Sequence, residues 1–239
     1  MSRNKIAGVL LSLLSAAVLV GCGNGVGQPG LTGNGSPASG GGADGGSAIA
    51  PGATSEPRQV SGFTGVKLST SGELRISHTG TESLTIEAEA AVLPKLTSEV
   101  VDGKLLLGIK PNESYSTRVP VVYKLTVKDL TSLAVAGSGK AIDTQITGDR
   151  FELDLDGSGD ITAGGTVREL IAKVTGSGDL KADALVANVG SVVLDGSGDA
   201  TVKVSDKLDA KVSGSGSLTY LGNPALTKDV RGSGDITKG

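Results

Sequence analysis

From Val60 onward, apolar and polar residues alternate with a period of two. Val66 and Leu68 flank Lys67, Leu74 and Ile76 flank Arg75, and Leu84 and Ile86 flank Thr85. Successive side chains of a strand point to opposite faces, so this spacing predicts strands with one apolar face. Leu105-Leu106-Leu107 and Val119–Val127 continue in the same style, rich in Val, Leu and Thr. No stretch carries a helical stripe. Ala88–Leu96 has room for one short turn, limited by Pro94.

The second half adds a longer period. Gly-Ser-Gly begins at Gly137, Gly157, Gly176, Gly196, Gly214 and Gly232, at intervals of 18 to 20 residues. Alternating apolar pairs precede each triplet, as in Leu153 and Leu155 or Val192 and Leu194. A further apolar residue lies two places beyond it, as in Ile161 and Leu180. Self-similarity at a fixed period marks a solenoid, in which each repeat stacks on its neighbours. By parity, Leu153, Leu155, Gly157, Gly159 and Ile161 share the interior face, while Asp156, Ser158 and Asp160 face solvent. Glycine inside a strand costs ~0.5–1 kcal/mol. Its recurrence implies a steric need: a sharp bend, or opposite walls too close for a side chain. About 180 residues at ~19 per coil predict about nine coils and ~45 Å of stack. The last repeat departs from the pattern, with Lys228 at an apolar position between Thr227 and Asp229. Polar terminal repeats let a solenoid end without an aggregating edge.

The first 57 residues read differently. Arg3 and Lys5 precede an apolar run, Ile6–Val20, too short to span a bilayer and suited to a secretory signal. The run ends in Leu19-Val20-Gly21-Cys22 and holds the sole cysteine of the chain. This resembles the bacterial lipobox, whose cysteine is acylated and becomes the first mature residue. Gly23 follows the cysteine where Asp would favour inner-membrane retention, so the resemblance leans to the outer membrane of a diderm host. Residues 23–57 contain 12 glycines among Ser, Pro, Asn and Ala, too little apolar surface to order a fold. The expected organisation is a signal peptide over 1–21, a lipid-anchored tether over 22–57 and a β-solenoid over 58–239.

Composition supports this picture. The 239 residues include 38 Gly but only five aromatic residues, one His and one Cys. Collagen is excluded because glycine does not recur at every third position. A Cys/His zinc cluster and an intrachain disulfide framework are excluded by count. Small stacked aliphatics explain how the chain manages without large aromatics. Loss of residues 1–21 removes Arg3 and Lys5 and moves the formal charge from −3 to about −5. That sign, without a basic stripe, disfavours nucleic acid as a partner.

With these residues in view, the region 60–239 resembles the bacterial auto-transporter adhesin, head GIN domain family. The resemblance rests on Phe63-x-x-Val66-x-Leu68, Asp102-Gly103-Lys104-Leu105 and the serial Gly-Ser-Gly-Asp. Its most specific part is the closing block Val212-Ser213-Gly214-Ser215-Gly216-Ser217-Leu218-Thr219-Tyr220-Leu221-Gly222-Asn223-Pro224. It implies an all-β, right-handed parallel β-helix behind a lipoprotein signal, with adhesion as the inferred role. Lys140 and Ser217 stand where the family pattern has an acid, which breaks the Asp ladder.

The best candidate chemistry is the outward Asp row. Asp160, Asp179 and Asp199 should stack on consecutive coils, with Asp156 and Asp195 nearby and Asp235 beyond the gap at Ser217. Carboxylates ~5 Å apart repel by ~1 kcal/mol per pair even in water, so something must offset them. Calcium is one answer. Carboxylates accepting backbone N–H bonds at the turns are the favoured one. His78 reads as a solvent-facing strand residue without a nameable partner, so a Ser–His–Asp triad has no support. Tyr115, Tyr123 and Tyr220 could stack sugars but read better as edge-packing groups. Arg168 and Lys173 read as ordinary surface charges. The expected protein is a non-catalytic envelope lipoprotein, anchored by Cys22, that acts as an adhesin, scaffold or binding module without a cofactor. Its partners are the membrane, through the lipid, and an envelope protein or glycan. The alternatives are a polysaccharide-binding or polysaccharide-degrading β-helix and a calcium-dependent module.

Overall fold

The computed structural model of the protein describes residues 50–239. The expected signal segment, Cys22 and the tether up to residue 49 lie outside the described residues. The described chain forms fifteen strands and a single 3₁₀ turn, Leu93–Lys95, which carries Pro94 where only one helical turn was expected. In chain order the strands are β1 (Thr54–Arg58), β2 (Gly65–Leu68), β3 (Glu73–His78), β4 (Ser83–Ala88), β5 (Leu96–Val101), β6 (Lys104–Ile109), β7 (Val122–Val127) and β8 (Ser132–Gly137). Then follow β9 (Lys140–Gly157), β10 (Asp160–Gly176), β11 (Asp179–Gly196), β12 (Ala200–Gly214), β13 (Ser217–Leu221), β14 (Ala225–Gly232) and β15 (Asp235–Lys238).

β9 to β12 are the regular coils of a β-solenoid. Each pairs in parallel with the next over nearly its whole length, and each triplet sets the register: Gly137, Gly157, Gly176, Gly196, Gly214 and Gly232 align in one column. Two walls meet at this column. The strand segment before each triplet builds one wall and the segment after it builds the other. Leu133, Leu153, Ala172, Val192 and Ala210 form one buried interior row, and Val135, Leu155, Val174, Leu194 and Val212 the next. Burying one such side chain contributes ~1.5–3 kcal/mol, and the stack repeats that gain at every coil.

Both glycines of a triplet after the first are crowded by the matching glycine one coil away, and the first glycine also carries a conformational demand. The first turns the corner with φ between +107° and +140°, a region that favours glycine. Its carbonyl accepts the Ser N–H of the next coil at 2.8–2.9 Å, giving an unbroken ladder from Gly137 to Ser233. The second is buried in the first five triplets and lacks that strain. There a Cβ at Gly159, Gly178, Gly198 or Gly216 would strike the carbonyl of the matching glycine one coil away. Both expected needs are therefore present, but the crowding comes from the neighbouring coil and not from the opposite wall. The first glycine is also part-exposed, so only the second faces the interior as parity had placed it.

The six triplets bound five regular coils, not the nine expected. The reason lies in the first half of the chain. β6 and β7 still stack in parallel on β2 and β3, but β5 runs antiparallel to β6, β4 to β7 and β1 to β4, so these three strands cover the end of the stack and add no further regular coil. Stack order also departs from chain order. β2 lies between β6 and β8, and β3 lies between β7 and β9. β1 begins at Thr54, so strand structure reaches back into the stretch expected as tether. At the other end, Lys228 aligns with buried Ala210 yet is exposed, and Val230 beside it is 40% exposed.

Candidate functional site

The outward Asp row forms as expected. Asp160 aligns with Asp179, and Ser217 with Asp235, in one column that opens with Glu73 and Lys140. Lys140 thus stands between two acids. The Asp179 carboxylate accepts the backbone N–H of Asp199 at 3.4 Å, and the Asp199 carboxylate accepts that of Ser217 at 2.9 Å. Asp179 and Asp199 thus tether the start of the next coil, which offsets repulsion at those two steps of the row. Asp156 and Asp195 occupy a different column and are separated there by Thr175. Among the described residues, no group of three or more His, Cys, Asp and Glu is placed to hold a metal ion.

His78 differs from its sequence reading. It is only part-exposed, and its Nε2 lies 2.9 Å from Oδ2 and 3.1 Å from Oδ1 of Asp143. Asp143 is fully buried. It follows Ala141 on the interior parity of β9, at the level of Ala163 in the next coil. Burial raises the Asp143 carboxyl above the ordinary range, while the hydrogen bonds from His78 and from the Gln145 N–H pull it back. The Gln145 side chain also accepts the His78 backbone N–H. This pair ties the last residue of β3 to the first bend of β9, across 65 residues of chain.

Tyr123 is fully buried, and burial raises its hydroxyl well above the usual value. It therefore offers no platform for a sugar. Tyr115 donates its hydroxyl to the Ser71 carbonyl at 2.8 Å and packs against the core edge, and Tyr220 packs there too. These two follow the edge-packing reading.

A row the sequence reading did not single out runs along the bend in the middle of each coil. Arg168 donates to Asp149 at 3.2 Å, and Asn188 donates to Asp206 at 3.3 Å. Arg150 bridges Glu152 at 2.9 Å and Glu169 at 3.4 Å. Three surface depressions share Arg150 in their walls. One extends toward Asp102 and Lys104, one toward His78, and one along Arg168, Asn188 and Asp206. The last of these is an open groove across the bends of β9 to β12, where charged and amide groups alternate along a wall that also exposes Val189. Asp149, Arg168, Asn188 and Asp206 each advance by one repeat, which is the signal that places them in line.

A parallel solenoid with serial glycine corners and surface-spread polar rows defines the class. The chain belongs to the family described as "Putative auto-transporter adhesin, head GIN domain", whose model matches residues 62–224. Solved structures share the fold. A structure from Bacteroides fragilis described as a "putative adhesin" is 22% identical with a TM-score of 0.66, covering 79% of this chain and 98% of its own. A structure from Parabacteroides distasonis, described as a "Putative lipid binding protein", is 22% identical with a TM-score of 0.54, covering 80% and 98%. A second structure from that organism, titled an adhesin, is 21% identical with a TM-score of 0.50, covering 78% and 97%. No curated protein matches the chain.

Proposed function

We propose that this protein is a cell-envelope lipoprotein that presents a rigid β-solenoid as a non-catalytic adhesion module. Residues 1–21 are removed, Cys22 carries the acyl anchor, and the Gly/Ser/Pro-rich segment that follows holds the solenoid away from the headgroups. Acyl chains on Cys22 supply the membrane partner, since stable anchoring takes two or more chains. The outer membrane is the favoured site in a diderm host. The adhesin family supports the envelope location.

One observation carries the binding role. Apart from the His78–Asp143 pair, whose carboxylate is fully buried, the polar rows are distributed coil by coil along the stack. Asp179 and Asp199 are engaged by backbone N–H groups, and Asp149, Glu169 and Asp206 by Arg or Asn side chains. General acid–base or nucleophilic chemistry needs groups gathered within hydrogen-bond reach of one reacting atom. Repeated polar rows suit an extended surface contact. The test is metabolic labelling with palmitate in the native host. Label should enter the wild-type protein and be absent from Cys22→Ala, with loss of membrane association. An unlabelled wild-type protein, or a Cys22→Ala variant that stays membrane-bound, contradicts the reading.

A further inference from the structure

We infer that the groove along the coil bends is a binding site for a neutral, extended polysaccharide, a reading that rests on the adhesion role and names its ligand. The groove crosses the stack from Asp149 on β9 to Asp206 on β12. Its walls alternate guanidinium, carboxylate and carboxamide groups: Arg150 with Glu169, Arg168 with Asp149, Asn188 with Asp206. These planar groups present paired donors and acceptors, the geometry that vicinal hydroxyls satisfy in both senses. The surface therefore recognises hydroxyls, each of which donates and accepts.

Charge and shape select within that class. Acids and cations interleave along the groove, so a polyanion meets Asp149, Glu169 and Asp206 without net attraction. Val189, 40% exposed, is the apolar side chain among the residues lining the groove, which gives a hydrophobic peptide little to hold. The backbones of β9 to β12 pair on both sides, so none of these strands offers a free edge there for an added peptide strand. Coils repeat at ~4.8 Å, close to the length of one sugar ring, so successive rings meet successive coils. Contacts without aromatic stacking are individually weak, and affinity should grow with chain length as more coils engage.

The test is affinity electrophoresis of the full chain in native gels containing hydroxyethyl cellulose, dextran or mannan, with polygalacturonate as the polyanion. The expected result is retardation by at least one neutral polymer and a weaker effect of polygalacturonate. Arg168→Ala and Asn188→Ala should each weaken the retardation about fivefold, as loss of one hydrogen-bonding group predicts. Lys181→Ala, on the other wall, should leave it unchanged. Both groove positions are exposed, and an unchanged melting temperature for each variant confirms an intact fold. Retardation by polygalacturonate alone, by no polymer, or undiminished in both groove variants overturns the inference. If palmitate labelling succeeds while retardation fails, the anchored adhesin stands and the ligand class falls.

Discussion

The Asp143 carboxylate sits fully buried on the interior face of β9 and is held 2.9 Å from Nε2 of His78 at the end of β3. A lone carboxylate at a core position would be costly, and His78 with the Gln145 N–H supplies its partners. The pair fixes the irregular first coil to the regular stack. Removing His78 leaves the buried carboxylate without its side-chain partner. His78→Leu should lower unfolding stability by about 3 kcal/mol, as for a broken buried pair. The double variant His78→Leu, Asp143→Ala removes both polar groups and should lose about 1 kcal/mol or less. Urea unfolding of the three proteins checks this, and equal losses in single and double variants would sink it.

The same residue carries a pH signature. Its folded carboxyl is raised by burial above the ordinary value. A raised group contributes stability that is complete below the unfolded pKa, about 3.9, and is lost as pH climbs through the folded value. The stability of wild type relative to Asp143→Asn should therefore be greatest near pH 4 and decline above the ordinary carboxylate range. Denaturation midpoints measured from pH 4 to 7 decide it. A relative stability that rises with pH would contradict the assignment of burial as the dominant cause.

Gly137, at the open end of the glycine column, separates corner strain from stacking. Gly137 is strained at φ +107° but open, so Gly137→Ala costs the left-handed conformation, about 1–2 kcal/mol. Gly159 carries no such strain, but its Cβ would strike the Gly139 carbonyl. Gly159→Ala should cost about 3 kcal/mol through displacement of a stacked coil. Thermal melts should rank Gly159→Ala below Gly137→Ala. The reverse ranking would mean that the corner, and not the stacking, limits the fold.

The Tyr123 hydroxyl is buried and has no hydrogen-bond partner among the described residues. Tyr123→Phe removes that uncompensated group without a change of shape and should stabilise the protein by about 1 kcal/mol. A loss of stability would reveal a partner for the hydroxyl.

Asp199 bonds the Ser217 N–H at the head of the following coil. Asp199→Ala should lower the melting temperature by a few degrees, consistent with one lost hydrogen bond of about 1 kcal/mol. Calcium should leave the wild-type melting temperature unchanged. A calcium-dependent rise that disappears in Asp199→Ala would restore the cation reading of the row.

The regular half of the fold was legible because its signals are local. Parity put Leu153, Leu155 and Ile161 inside, and the glycine spacing fixed the register of each coil. The end of the stack was not legible, since alternation in Val66–Leu68 says nothing of which strand lies beside it. β2 pairs with β6 and β8, yet its apolar pattern fits any coil. That is also why the coil number was overestimated. The His78–Asp143 pair was half-legible. Asp143 shares the parity of buried Ala141, and an acid at that position needs a partner, but 65 residues of chain hide which one. The groove row was written in the 18- to 20-residue spacing of Asp149, Arg168, Asn188 and Asp206, one repeat apart, but its polar types resemble any solvated surface.

An adhesin must display its solenoid where a partner can reach it. Antibody labelling of intact cells, run beside permeabilised cells, measures this most directly. The anchored adhesin reading predicts strong labelling of the solenoid on intact cells and its disappearance after brief protease treatment. Labelling confined to permeabilised cells, with full protection from the protease, would contradict it.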